Sequence, residues 1–246
     1  MPCRGIFFKK HQPVHIISRA IEGFKIFEKE EDCFRFIFYF YAANFGRRNT
    51  NLKGKDMIKT GRALLEGEEI PKNFIIKEHP PLVYLLDFSF VINHYHFYLL
   101  SAEENSPPIL IQRLNNAFAK YFNLKHHRKG VLFSSRYKSV LVETGFQADA
   151  VSRYVSIINP LDVYQSNWRR EGLRDWKRAL NFLENYPFSS FPDKIGKRNS
   201  KILAPKEILE KYSFIKNSRE KKYPFKNFVL DFLKQKFLPS QNLFLE

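Results

Sequence analysis

Residues 82–100 read LVYLLDFSFVINHYHFYLL, and the organisation of the chain turns on how that run is divided. Residues 82–90 and 97–100 are apolar and rich in β-formers, as buried strand requires, and Asn93-His94-Tyr95-His96 interrupts them. Elements of other periodicity flank this block. Upstream, Val14-His15-Ile16-Ile17-Ser18-Arg19 alternates as a strand, and Phe34, Ile37, Phe38 and Tyr41 recur at helical spacing. Downstream, Ser106-Pro107-Pro108 supplies a cap and first-turn prolines to a helix striped by Leu110, Leu114, Ala117, Phe118 and Tyr121. Gly130 precedes a basic-edged strand or hairpin arm at 131–133 and 137–142, and residues 147–158 read as a helix stopped by Asn159-Pro160. Strand, helix, strand, helix, strand, helix, with no Gly-rich phosphate loop after any strand, predicts an α+β layer. An antiparallel sheet with helices on one face fits that order better than a doubly wound sheet.

The stretch 46–81 turns polar, carries Gly54, Gly61 and Gly67 and ends in paired prolines, so it reads as an inserted loop with one short helix around 59–65. Residues 1–165 then form the principal domain. Residues 166–246 form a basic helical C-terminal extension, with amphipathic segments at 173–182, 205–212 and 225–237. Between Lys194 and Lys222 lie ten Lys/Arg and three Asp/Glu, which suits an appendage that contacts phosphates, or a solvated charged face.

Composition narrows the function classes. The 246 residues carry 41 Lys+Arg against 25 Asp+Glu, a net charge of +16, and such a field draws polyanions. With 44% hydrophobic residues, 26 Phe and 12 Tyr, the chain has ample material for a core and is not disordered. Cys3 and Cys33 are too few for a disulfide framework or a zinc finger and read as free thiols of a cytoplasmic protein. The most apolar stretch, 36–43, is far shorter than the roughly 18–20 residues that span a bilayer, and no secretion signal is visible at the N-terminus. Nucleic acid, not membrane, is the expected partner.

Two candidates for chemistry stand out. In a strand, positions i and i+2 share a face, so His94 and His96 project together, and two imidazoles on one face can hold one divalent ion; two unconnected histidines at a strand end are the plain alternative. Tyr154 lies in the 147–158 helix beside Arg153 and after the basic run Lys125, Arg128, Lys129, Arg136 and Lys138. A phenol is a poor nucleophile in water, but a nearby metal and cations can activate it toward a phosphate. Ordinary packing against Val151 and Ile158 is the competing role.

In combination, these segments resemble the single-tyrosine HUH transposases, in particular the REP-associated tyrosine transposases and their insertion-sequence relatives. The resemblance spans residues 14–191. Its carriers are His15-Ile-Ile-Ser-Arg19, Asp32-Cys-Phe-Arg-Phe36, Asn93-His-Tyr-His96 as the His-hydrophobic-His motif, Gly130-Val-Leu-Phe133 with Arg136-Tyr-Lys-Ser139, Tyr154 before Asn159-Pro160, and Pro187-Phe-Ser-Ser190.

The resemblance implies a ferredoxin-like antiparallel sheet and a Mg²⁺ or Mn²⁺ ion held by His94 and His96, with Asn159 as third ligand. It implies that Tyr154 attacks a DNA phosphodiester, leaving a 5′-phosphotyrosine link and a free 3′-OH without ATP. The implied substrate is single-stranded DNA located through an adjacent hairpin, and a homodimer is common in such proteins. Phosphate contacts are expected from Arg19, Lys125, Arg128, Lys129, Arg136, Lys138 and Arg153. The chain departs from the pattern at Ile92, where proline is usual, and at the tyrosine. Four residues commonly separate the tyrosine from the Asn of Asn-Pro; here Tyr154 precedes Asn159 by five, and one residue turns an α-helix by about 100°. Two other functions fit the residues: a domesticated, catalytically inactive DNA-binding protein of the same fold, and a metal-dependent nuclease that uses water.

Overall fold

A computed structural model describes residues 7–134, 137–212 and 225–234, with side chains of the last segment described from Val229. Arg136, Cys3 and the tail cations beyond Lys211, up to Lys222, lie outside the described residues. The principal strands are β1 (Pro13–Arg19), β4 (Val83–Val91), β5 (His94–Ser101) and β6 (Lys138–Leu141). They form one antiparallel sheet in the order β4-β5-β1-β6. Helices α1 (Glu30–Phe45) and α3 (Ser106–Lys125) connect β1 to β4 and β5 to β6. The fold is therefore α+β, as the order of periodicities predicts.

The decisive run divides as a hairpin. Val91 pairs with His94 across the two-residue turn Ile92-Asn93, so Asn93 ends one strand's excursion and His94 opens the next. Val14 and Ile16 of β1 enter the main core, with Tyr95, Phe97 and Leu99 of β5, against α1 and α3. On the opposite face His15 meets Tyr154, and Tyr98 and Leu100 pack with Val151, Tyr154 and Val155. Helices thus cover both faces, not one. The physical reason is that the second face also carries apolar side chains, Leu86, Tyr98, Leu100 and Val142, which must be kept from water.

The 46–81 insertion is more ordered than a loop with one short helix. It contains α2 (Gly54–Glu66) and an antiparallel ribbon of β2 (Gly46–Arg48) and β3 (Ile75–Lys77). Helix α2 lies hard against α1 because Gly61 has no side chain: a Cβ there would stand 1.9 Å from the Phe34 carbonyl oxygen. Asn159-Pro160 does not stop the preceding helix. Helix α4 (Gly145–Arg153), opened by a Thr144/Gln147 capping box, runs into a π-helical turn (Tyr154–Ile158) and then into α5 (Asn159–Tyr164). Pro160 sits in the first turn of α5, where a missing N–H is tolerated.

Past α5 come α6 (Trp168–Glu171), α7 (Trp176–Asn185), α8 (Phe191–Lys194), α9 (Lys206–Tyr212) and α10 (Phe225–Lys234). Ile157 and Leu161 share a second apolar cluster with Trp168, Ala179, Leu183, Phe191 and Val229. The segment around 188–190 lies along the free edge of β4: the Phe90 amide donates to Phe188, the Ser190 amide donates to Phe88, and Ser89 bridges Ser189. This closes an otherwise open ladder.

Two tail cations read as surface charge, Lys194 and Arg198, are internal. The Lys194 ammonium is 3% exposed and meets the Asp87 carboxylate, itself fully buried, at 2.9 Å. Arg198 pairs with Asp193 at 2.6 Å, whereas Lys201 meets Glu69 at the surface. Leu85 and Phe88 both serve the main core, and a bulge between Leu85 and Asp87 restores the pairing, so that Leu86 and Asp87 both serve the second face. Asp87 accepts from Ser152 at 2.6 Å and from Ser190 at 2.7 Å, and Lys194 also donates to Ser152. Removing one member strands a buried charge. Lys194→Ala is expected to lower stability by about 3–5 kcal/mol, read from urea unfolding, and Asp87→Leu combined with Lys194→Met to recover much of it.

Candidate active site

Strand pairing brings two histidines to one place and adds a third. His94 stands opposite Arg19, and His96 opposite Ile17, on the face of the sheet that carries Tyr154. His15, two residues before Ile17 and on the same side, stacks against His96 with ring centroids 5.3 Å apart and planes at 14°. The His94 and His96 rings lie edge to face at 4.8 Å. The Tyr154 ring stands nearly perpendicular to those of His96 and His15, with centroids 5.5 and 6.0 Å away.

The hydrogen bonds of the imidazoles select which nitrogens remain. His94 Nδ1 is held by Asn93 Oδ1 at 2.7 Å, and His96 Nδ1 by His15 Nε2 at 3.1 Å. His96 Nε2 and His15 Nδ1 are buried without a hydrogen-bond partner. Each neutral ring has one N–H, so only one ring can donate within the His15/His96 pair. If His96 donates, its Nε2 keeps a bare lone pair, and His15 keeps the buried proton. Fixing Nδ1 in this way is the arrangement that orients a metal-ligating histidine.

Burial lowers the His15 and His94 pKa values to about 3, and nearby Arg19 and Arg169 push His94 the same way. Burial likewise holds His96 well below the ordinary range, helped by His15, His94, Arg19 and Arg169. All three rings are therefore neutral near pH 7, the state in which imidazole binds metal.

The π turn bears on the spacing of Tyr154 and Asn159. The Asn159 amide donates to the Tyr154 carbonyl, an i to i+5 bond in place of i to i+4. Backbone angles stay helical across it. The fifth residue thus stands one turn beyond the tyrosine, where the fourth stands in an α-helix. Asn159 thus falls where a regular α-helix would place Ile158. Asn159 is 1% exposed, and its Nδ2 is buried without a partner.

Arg169 has no counterpart in the sequence reading. It grips Asp162 with two nitrogens, Nε to Oδ1 at 3.0 Å and one terminal nitrogen to Oδ2 at 2.6 Å. The guanidinium carbon lies over the Tyr154 ring, 5.4 Å from its centroid. Burial opposes its charge, but the Asp162 hydrogen bond and charge, then Tyr154, hold the guanidinium above its ordinary range.

No protein-family model and no curated protein matches the chain. A solved structure titled as a REP-associated tyrosine transposase bound to a REP hairpin is similar to this chain with a TM-score of 0.44 at 10% identity. The alignment covers 83% of this chain and 92% of that one. The likeness is a distant one.

The expected phosphate contacts are not all in one place. Arg19 is exposed beside His94, and Lys138 is exposed opposite Ile17 on β6. Lys129 is exposed in the loop after α3. Lys125 is drawn to the other face of the sheet, where it pairs with Asp32 of α1 at 2.5 Å. Arg128 lies over the Phe24 ring and bonds Asn123, and Arg153 donates to the Asp149 carbonyl of its own helix. No described helix is long and apolar enough to cross a membrane.

The buried histidines make acid lability a consequence of the site. Unfolded histidine titrates near pH 6.5, so below that the unfolded chain binds protons that the folded rings refuse. Stability is fully present above about pH 6.5 and falls as pH drops toward the folded values near 3. The slope is up to about 1.4 kcal/mol per pH unit for each ring. Urea unfolding with a chelator present, stepped down from about pH 7.5, should show this decline, and His15→Gln should remove one proton's worth of slope.

Proposed function

We propose that the protein nicks and rejoins single-stranded DNA beside a hairpin, with Tyr154 as nucleophile and a divalent cation at His94 and His96. The observation that carries this reading is the convergence of the two histidines with Tyr154 on one face of the sheet, with Asn159 five residues on across the π turn. The order β-α-β-β-α-β of the sheet elements and the strand order β4-β5-β1-β6 support a ferredoxin-like frame for it.

The residues fit a cation through the orphaned His96 Nε2 and the two tethered Nδ1 atoms. Among the described residues no group of three or more His, Cys, Asp or Glu could hold a metal ion. The remaining protein ligand in this reading is therefore the amide oxygen of Asn159. Two imidazoles favour Mn²⁺ over Mg²⁺, which prefers an all-oxygen shell. When bound, the cation would draw charge from a nonbridging phosphate oxygen.

In the reaction the Tyr154 oxygen forms a bond to phosphorus as the bond to the 3′ oxygen breaks. The phenol gives up its proton and the 3′ oxygen takes one up. The phosphotyrosyl link keeps the bond energy, so a 3′-OH can reverse the step without ATP. Arg19 and Lys138, exposed on either side of the histidine face, are placed to meet the backbone phosphates.

A denaturing gel of the full chain with Mn²⁺ and a labelled pool of randomised single strands tests the reading. Wild type should yield a covalent adduct, and Tyr154→Phe none, with DNA affinity kept. Cleavage without adduct would make the protein a water-using nuclease, and a mobility shift alone an inactive binder. Calorimetric titration of Mn²⁺ should give one site in wild type and none in His96→Ala.

A further inference from the structure

Two adjacent arginines of α6 have different surroundings. The Arg170 side chain is 79% exposed and touches Glu171, as a solvated surface residue does. The Arg169 side chain is 31% exposed and turned inward. Asp162 grips it from α5 with both carboxylate oxygens, and the Trp168 indole N–H donates to the same carboxylate at 2.7 Å, fixing its position in turn. The terminal nitrogen that meets Asp162 also lies 3.5 Å from Asn159 Oδ1, and the guanidinium lies over the Tyr154 ring.

An arginine clamped at one edge by a carboxylate is a preorganised cation, because the fork is held and little freedom remains to be lost. The same guanidinium lies over the phenol ring, its carbon 5.4 Å from the ring centroid. From these contacts we propose that Arg169 is a catalytic residue, acting on the Tyr154 oxygen, and that Asp162 is its positioning residue. The proposal rests on Tyr154 being the nucleophile.

Its role follows from where charge develops. On attack, the phenol oxygen sheds its proton and bonds to phosphorus, while the 3′ oxygen leaves and is protonated. On rejoining, the 3′-OH attacks, the bond from phosphorus to the Tyr154 oxygen breaks, and that oxygen departs with the electron pair before regaining a proton. A fixed guanidinium at the oxygen stabilises the charge it carries in both directions. It also donates to the oxygen's lone pair and so sets the direction of the phenol. The distinction between lysine and arginine matters here: a lysine would restore the charge but not the two-point grip on Asp162.

The test measures the single-turnover rate of adduct formation, with Mn²⁺ and a saturating pool of randomised single strands, for wild type and for Arg169→Ala, Arg169→Lys and Asp162→Asn. Removing one preorganised donor costs about 10²-fold or more in rate. Arg169→Ala should lose that much, and Arg169→Lys should recover only a small part. Asp162→Asn should fall between Arg169→Ala and wild type, and calorimetry should still give one Mn²⁺ site in all three. Arg169→Ala at the wild-type rate would overturn the proposal. If the alanine variant melts below the assay temperature, Arg169→Lys decides, and a wild-type rate there would overturn it equally. A wild type that forms no adduct would instead overturn the reading of Tyr154 as nucleophile, and this role with it.

Discussion

Asp87 is a carboxylate with no exposure on the strand at the edge of the sheet, where an unpaired charge would cost several kcal/mol. Lys194 answers the charge, and the hydroxyls of Ser152 and Ser190 fill the remaining acceptor positions. The group ties together β4, the helix before the tyrosine and the segment that covers the sheet edge. Ser152 is two residues from Tyr154, and its carbonyl accepts from Ser156 inside the π turn. The nucleophile candidate is thus referenced to the sheet through this buried pair, and so are the distances from Tyr154 to the histidines. A hydrophobic pair of equal volume could hold the layers together, but it would not fix the rotation of α4 in the same way.

The π turn shows how an insertion in a helix can be confined. An added residue in a regular α-helix rotates everything after it by about 100°. Here one widened turn takes up the difference, and Tyr154, Asn159 and the apolar Ile157 and Leu161 all keep useful directions. The backbone amide of Asn159 keeps a partner, and Pro160, which has no amide to offer, follows directly. Side chains and backbone agree on this solution.

Much of the frame was legible in the sequence because its signals are periodic. The alternation of 14–19, the helical stripe of 110–121 and the shared face of His94 and His96 all appear in the structure. What stayed hidden depends on three dimensions. Leu85 and Leu86 are both apolar, so the bulge that changes the facing of this strand leaves no mark in the sequence. A π turn and an α turn share one hydrophobic pattern over 147–158. Lys194 sits in a basic run and looks no different from its solvated neighbours, and Arg169 looks no different from Arg170, until Asp87 and Asp162 are placed opposite them. His15 was visible as part of a motif, but its bond to His96 needs the register of β1 on β5.

The residues that meet at the candidate site come from widely separated parts of the chain: His15 from the first strand, the histidine pair from the third of the sheet, Tyr154 from beyond the last, and Arg169 later still. Contacts so distant in sequence form late, and the N-terminal portion of a chain leaves the ribosome first. The metal ligands of the proposed reaction therefore emerge well before its nucleophile, and the nucleophile before the segment that bears Lys194. A nascent or prematurely ended chain would carry the histidines without a held tyrosine. The order of synthesis itself would then keep an unfinished molecule from breaking a DNA strand.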